Sequence, residues 1–523
     1  MRGLILALVA LCLITGDSGH FIEQLLRNAE HASAMRSSVF VLDDTARGER
    51  NASNSNAIAL IPPTTNQGET IHHVAPLLWS AAKQGSIDAQ TALVTLASST
   101  SSEYWLRKVV SLGSPQAAWA LYQLLNVDGK GERFIALAAQ GGVAEAQLSY
   151  AMSTDNPEER ERWLVEAANN GYSPAQAALA DWYLLRGESH KAKPWLKITA
   201  DLDRQSAFKF ARLLWDEGDK QQAIHYFKKS ASEGNEQAKR ALHITQTYSA
   251  TRPKNVSQIV WPTNKMCKQR IQLFGTSLVT MTRADSLYSQ YKNDDRLKGL
   301  SLCVNEPVWL EKETLTCSAN FQKSGLLGCN ITPLAEVAKR FDITHAVIVS
   351  AQGKANVRNG VMFLDITDAY SVFVHELAHF AGFVDEYPLS SHAARRLCTA
   401  DSIENFTPPN LVVDGEVTYQ PLETVDRWLI KSNASLVISP SKTCEALGVN
   451  SYKPSNYITF MEHHDTGRIP AIYLALWEQQ LQNESAHRPI SMNFFQAFHK
   501  AGNTKKAGVW LNVYEERDST TEE

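Results

Sequence analysis

His375-Glu376-Leu377-Ala378-His379 runs on as Phe380-Ala381-Gly382-Phe383-Val384-Asp385-Glu386-Tyr387, which reads H-E-x-x-H-x-x-G-x-x-D. On an α-helix, residues four apart share a face, so His375 and His379 can aim their imidazoles at one ion. Glu376 falls on a neighbouring face, within reach of a water beside that ion. Gly382 suits a left-handed exit from the helix. The turn would then return Asp385 as third ligand, with Glu386 the competing candidate one residue later. Three protein ligands leave a fourth position open, the arrangement of a catalytic zinc site. Zinc brings the pKa of its water down toward about 7, and a nearby carboxylate can take the proton as that water attacks a carbonyl. The chain holds 15 His in 523 residues. Chance would give about 0.02 H-E-x-x-H matches at that composition, so the motif outweighs an amphipathic helix with solvated His and Glu. Ser371-Val372-Phe373-Val374 and Leu377-Ala378-Phe380-Ala381 make the segment apolar nearly all round. Ionisable groups in such a segment need partners, and a metal supplies them.

On these residues the chain resembles the IgA-peptidase type of metzincin-like metallopeptidase, whose motif is H-E-x-x-H-x-x-G-x-x-D-E-Y. The resemblance implies Zn2+ on His375, His379 and Asp385, with Glu376 as general base. It also implies a Met-turn. Tyr452-Lys453-Pro454-Ser455-Asn456-Tyr457-Ile458-Thr459-Phe460-Met461 looks like one, with Met461 as a polarizable floor beneath the metal. Some metzincins place a Tyr two residues past that Met, where this chain has His463. His463 and His464 read first as surface histidines. The functional alternatives for holding an oxyanion are His463, Tyr387 and Tyr457.

The flanking segments fit an α+β domain. Ile343 to Ser350 and Gly360 to Leu364 read as short buried strands around a polar loop, Gln352 to Asn359, and Ile271 to Gly275 as another strand. Ala335 to Phe341 and Pro470 to Gln482 read as helices. By resemblance, the strand just before the zinc helix is an antiparallel sheet edge to which an extended substrate adds.

Met1-Arg2-Gly3, the apolar run Leu4 to Ile14 and the small residues to Ser18 read as a secretory signal peptide, too short for a comfortable membrane span. Cys12 lies within it. The other six cysteines, Cys267, Cys303, Cys317, Cys329, Cys398 and Cys444, form an even set, which in an exported domain suggests disulfides. The expected pairs are Cys398 with Cys444 and Cys317 with Cys329. A net charge of −4 and a pI near 6.4 give no basic footprint for nucleic acid.

The N-terminal half repeats itself. Ala81-Ala82-Lys83-Gln84-Gly85-Ser86-Ile87-Asp88-Ala89-Gln90 recurs at Ala138 to Gln147 and Ala167 to Gln176, with weaker copies at Gly113, Asp203 and Gly234. The steps are 28, 29, 29, 32 and 31 residues, and Trp105, Phe134, Trp163, Trp195 and Tyr226 precede them at a fixed offset. A period near 30 with helical patterning means a solenoid of helix pairs. Each Gly ends one helix, and the Ala four residues on lets the next pack closely. The copies resemble Sel-one-like repeats, relatives of the tetratricopeptide repeat, which implies a surface for a protein partner.

The sequence therefore predicts a multi-domain chain: a signal peptide at 1–18, a poorly structured segment at 19–75, and an all-α repeat solenoid at 76–250. A metzincin-like α+β catalytic domain follows at 255–515, with a polar tail at 516–523. The expected function is that of an exported zinc endopeptidase, periplasmic or secreted, acting on a protein or peptide substrate. No membrane span is expected in the mature chain. The alternatives are a non-catalytic protein-binding scaffold in which the repeats carry the function, and a zinc hydrolase of non-peptide amides.

Overall fold

The computed structural model describes residues 22–30, 67–126, 131–263, 265–399, 407–414, 419–432, 436–483 and 488–519. The expected signal peptide, Cys12 and the polar stretch from 44 to 66 lie outside them. Two expectations at the ends are corrected. Within the segment read as poorly structured, residues 22–30 and 67–75 are helical. Ile22, Leu25, Leu26 and Ala29 recur at helical spacing and pack against Val74, Leu78 and Leu93. At the other end, helix continues into the expected tail as far as Ser519.

The chain divides into two compact units, Met1–Ala238 and Lys239–Glu523. The first is a run of helix-turn-helix pairs: α1 Gln67–Ala82 with α2 Ile87–Ser99, α3 Glu103–Val110 with α4 Pro115–Leu125, α5 Glu132–Gln140 with α6 Ala144–Ser153, α7 Pro157–Asn169 with α8 Ser173–Leu185, and α9 Ser189–Thr199 with α10 Arg204–Glu217. Next come α11 Lys220–Ser232 and α12 Glu236–Thr247, within which the division falls. Gly85, Gly113, Gly142, Gly171 and Gly234 all have φ between 79° and 92°, a region that costs other residues steric energy. Where the next residue is polar it caps the following helix: the side chains of Ser86, Ser114 and Asn235 accept from the Ala89, Ala117 and Ala238 N–H groups, and Asp203 accepts from Ser206 N–H in the same way. This aligns Asp203 with the cap and Leu202 with the glycine, so the fifth copy lies one residue off the sequence count. Ala89, Ala117, Ala146, Ala175, Ala207 and Ala238 are completely buried, as close helix packing requires. Gln147 and Gln176 reach back to the Ala139 and Ala168 carbonyls at 3.2 and 3.1 Å, so α5 with α6 and α7 with α8 are also tied by a buried hydrogen bond.

The second unit is built on β1 Gln269–Gly275, α13 Leu278–Lys292, β2 Leu302–Trp309, β3 Thr316–Ser318, β4 Gly328–Asn330, α14 Ala335–Arg340, β5 His345–Ser350, β6 Asn356–Arg358, β7 Val361–Asp365 and α15 Tyr370–His379. It continues through β8 Val412–Asp414, α16 Tyr419–Lys431, β9 Ser439–Ser441, β10 Asn450–Lys453, α17 Ala471–Gln482, α18 Ile490–Lys500 and α19 Thr504–Ser519. The main sheet has the order β2-β1-β5-β7-β6, with every pair parallel except β6 with β7. Alternate side chains feed two cores. Ile271, Leu273, Val347, Val349, Met362 and Leu364 face α13, α15 and α17. Phe274, Ala346, Ile348, Val361 and Phe363 face α14, α18 and α19. The resemblance-based edge is thereby corrected. The strand just before the zinc-motif helix, β7, lies inside the sheet and pairs parallel with β5, while the antiparallel edge is β6, in the stretch read as a polar loop. β8, β10 and β9 form a small antiparallel sheet.

The six cysteines pair as Cys267–Cys303, Cys317–Cys329 and Cys398–Cys444. The second joins directly opposed residues of the β3–β4 hairpin. Among the described residues, no helix is long and apolar enough to cross a membrane.

Candidate metal centre

α15 carries the motif and packs by Phe373, Val374, Leu377 and Ala378 into the core. His375 and His379 are one turn apart, their rings 4.8 Å between centroids. The helix ends where Gly382 takes φ +79°, as its position in the motif predicts. Its N–H donates to the His379 carbonyl at 3.1 Å, and Phe383 N–H donates to the Ala378 carbonyl at 3.3 Å. The reversal returns Asp385 to the helix. Asp385 Oδ1 lies 3.0 Å from His375 Nε2 and 3.3 Å from His379 Nε2, and the two Nε2 atoms are 3.2 Å apart.

The hydrogen bonds on the far side of each ring fix what those nitrogens present. His375 Nδ1 donates to the Phe460 carbonyl at 2.8 Å and His379 Nδ1 to the Phe383 carbonyl at 2.8 Å. A carbonyl only accepts, so each Nδ1 carries a proton and each ring turns its Nε2 toward Asp385. Two Nε2 atoms and a carboxylate oxygen therefore converge, and a cation among them, a metal ion or a proton, relieves their mutual repulsion. The three edges also fit such an ion, since ligands at the corners of a tetrahedron with bonds of about 2.0–2.1 Å stand about 3.3 Å apart. The donor set, two imidazoles and a carboxylate, suits zinc.

The electrostatics follow from the same crowding. Burial works against charge on His379, but the Asp385 and Glu376 carboxylates push its pKa up to about 9. Burial works against charge on Asp385 too, yet His379 and His375 hold it well below the usual carboxylate range. Glu376 is buried, and one of its carboxylate oxygens lies within 4.8 Å of the histidine nitrogens. Burial raises its pKa against the pull of both imidazoles.

Glu386 is turned elsewhere. It is fully buried, and its Oε1 accepts from Asn410 Nδ2 at 2.9 Å and Tyr473 OH at 2.6 Å. Its Oε2 accepts from Thr459 Oγ1 and lies 3.6 Å from Lys453 Nζ, which also pairs with Glu462. Its backbone N–H donates to the Met461 carbonyl at 3.0 Å, and Thr443 Oγ1 donates to the Asp385 carbonyl at 2.7 Å. Of the two neighbouring acids, the structure brings Asp385 to the histidines. The partners of Glu386 were missed from sequence, because Asn410 and Tyr473 stand 24 and 87 residues away.

Met461 is fully buried in the same core as Leu377 and Phe460. Tyr387 is exposed along part of its ring but lies near the candidate ligands: partial desolvation of its hydroxyl and the Asp385 and Glu376 carboxylates raise its pKa. The other two oxyanion candidates face elsewhere. Tyr457 is exposed beneath the Arg468 guanidinium, 4.3 Å from its ring centre. His463 is exposed and stacks on His464 at 5.5 Å, as the surface reading has it. His464 in turn lies 3.2 Å from Ser371 Oγ on the first turn of α15.

The sequence matches no protein-family model and no curated protein. Among solved structures, the chain is similar to a protective antigen of uropathogenic Escherichia coli with an SLR fold, at 20% identity and a TM-score of 0.29. The match covers 34% of this chain and 45% of that one, so this chain spans less than half of the antigen's length. A Sel1 repeat protein from Oxalobacter formigenes matches at 19% identity and a TM-score of 0.25, covering 34% of this chain and 85% of the other.

Proposed function

We propose that the chain is an exported zinc-dependent endopeptidase whose helical repeats form a docking module for protein. The observation that carries this reading is the triangle of His375 Nε2, His379 Nε2 and Asp385 Oδ1, with both Nδ1 atoms committed to carbonyls and Glu376 beside it. A structural metal site needs no such carboxylate. His375, His379 and Asp385 would hold the ion, which when bound supplies Lewis acidity toward a scissile carbonyl and makes water nucleophilic near neutral pH.

The chain's own groups do the rest. Glu376 has an apolar setting that raises its basicity, so its carboxylate can accept the proton of an attacking water and return it to the leaving amine. Tyr387 keeps its proton through neutral pH because burial and neighbouring carboxylates disfavour the phenolate. Its hydroxyl can therefore donate to a carbonyl oxygen that is gaining charge. Three disulfides in the described chain suit an oxidising compartment.

The test is incubation of the purified protein with a proteome-derived peptide library, with and without chelator. Cleavage should require zinc. Glu376→Gln should bind zinc with unchanged stoichiometry and lose turnover by about 10²–10⁴-fold. Turnover retained in that variant would remove Glu376 from its role. Absence of cleavage under all conditions would leave the protein-binding reading.

A further inference from the structure

A groove of about 430 Å³ opens between β6, the β3–β4 hairpin and α18, within the size range of ligand sites, about 300–1,000 Å³. Its floor is apolar, with Leu327, Ile331 and Phe363. Its rim carries two cations, Arg358 and Lys500, and among the described residues no acid lines it. Neither cation forms an ion pair with a described residue. Lys500 Nζ reaches only the neutral Gln322 side chain, at 3.0 Å. Gln322 and Lys323, beside the groove, both hold left-handed backbone, φ +54° and +62°. Non-glycine residues adopt that conformation at a cost that the surrounding structure must offset. The Cys317–Cys329 disulfide braces the same wall.

Position gives the groove its meaning. β6 is the end strand of the sheet. Asn356 and Arg358 line the groove, while Val357 between them packs into the core that holds α15. An extended peptide laid along the outer edge of β6 would alternate its side chains in the same way. One set would turn toward the α15 side and the next into the groove. We infer that the groove is a specificity subsite for an acidic side chain of a peptide substrate, held by Arg358 and Lys500 over the apolar floor. The inference rests on the peptidase reading for the identity of its occupant.

The test uses the full chain carrying Glu376→Gln, loaded with zinc. Its binding to short peptides bearing one Glu, scanned through each position, is compared by fluorescence anisotropy with binding to the same peptides bearing Gln. At one register the Glu peptide should bind about tenfold more tightly, with the gain falling as salt rises. Arg358→Ala with Lys500→Ala should abolish that preference, and Arg358→Glu with Lys500→Glu should transfer it to Lys peptides. Both residues are exposed, so folding is not at stake. Equal binding of Glu and Gln peptides at every register, or a preference that survives both pairs of substitutions, overturns the inference. Cleavage by the parent protein separates the two readings. Peptides cut without regard to an acid would sink the groove alone. Acid-selective binding without any cleavage would sink the peptidase alone.

Discussion

Asp385 and Glu386 are adjacent in sequence, yet one carboxylate meets two imidazoles and the other a closed set of donors. Their substitutions should therefore separate cleanly. Asp385→Ala removes a corner of the triangle, so zinc affinity should fall by at least about 100-fold, read by competition with a chromogenic chelator. Glu386→Ala leaves the Tyr473 hydroxyl without its carboxylate acceptor, Asn410 Nδ2 with the Val384 carbonyl alone and Lys453 with Glu462 as its remaining carboxylate. Unfolding free energy should drop by about 2–4 kcal/mol in denaturant titrations, while zinc stoichiometry at saturating metal persists. Lost zinc with undiminished stability in Glu386→Ala would reassign the ligand.

Within the repeats, each element is stopped and restarted by local chemistry. A Cβ added at Gly142 would meet nothing within 4 Å, so its φ of +85° alone sets the cost of replacement. Gly142→Ala should destabilise by about 1–2 kcal/mol. Ala175 is the contrary case: it is sealed between helices, and Ala175→Leu should cost about 1–3 kcal/mol through overpacking. Asp203 begins α10. Burial works against its charge, but the Ser206 N–H and hydroxyl and the Gln205 N–H donate to its carboxylate and bring its pKa below the ordinary value. A folded-state pKa below the unfolded one means that the cap stabilises above about pH 4 and loses that contribution as pH falls. Asp203→Ala should therefore cost about 1 kcal/mol at pH 7, and the gap between variant and parent should close on acidification, followed by circular dichroism.

At the scale of the whole molecule, metal dependence should be confined to one unit. Zinc held by α15 and Asp385 would stabilise only the unit that contains them, by about 4 kcal/mol when the metal stands at about 1,000 times its Kd. Calorimetry of the full chain with chelator should lower the transition of Lys239–Glu523 and leave that of the repeats in place. A common shift of both would mean that the two unfold together. The same contrast of scale separates what could be read from the chain alone. The repeat period, its glycines and its alanines were legible because backbone φ and helix approach are set by residues a few positions apart. His375, Glu376 and His379 were legible because one helix places them. The Cys317–Cys329 pair is a local hairpin link. By contrast, the choice of Asp385 over Glu386 came from Asn410, Thr459 and Tyr473, far along the chain. The sheet edge at β6 came from pairing that strand propensity does not encode, and the helix at 22–30 is secured by apolar residues beyond the polar stretch that follows it. Sequence by itself determined the solenoid, the histidine pair and the neighbouring Glu376, whose causes lie within one or two turns of helix. Only the tertiary structure decided which carboxylate meets the histidines and where the sheet ends, because each depends on which distant groups share the space around it.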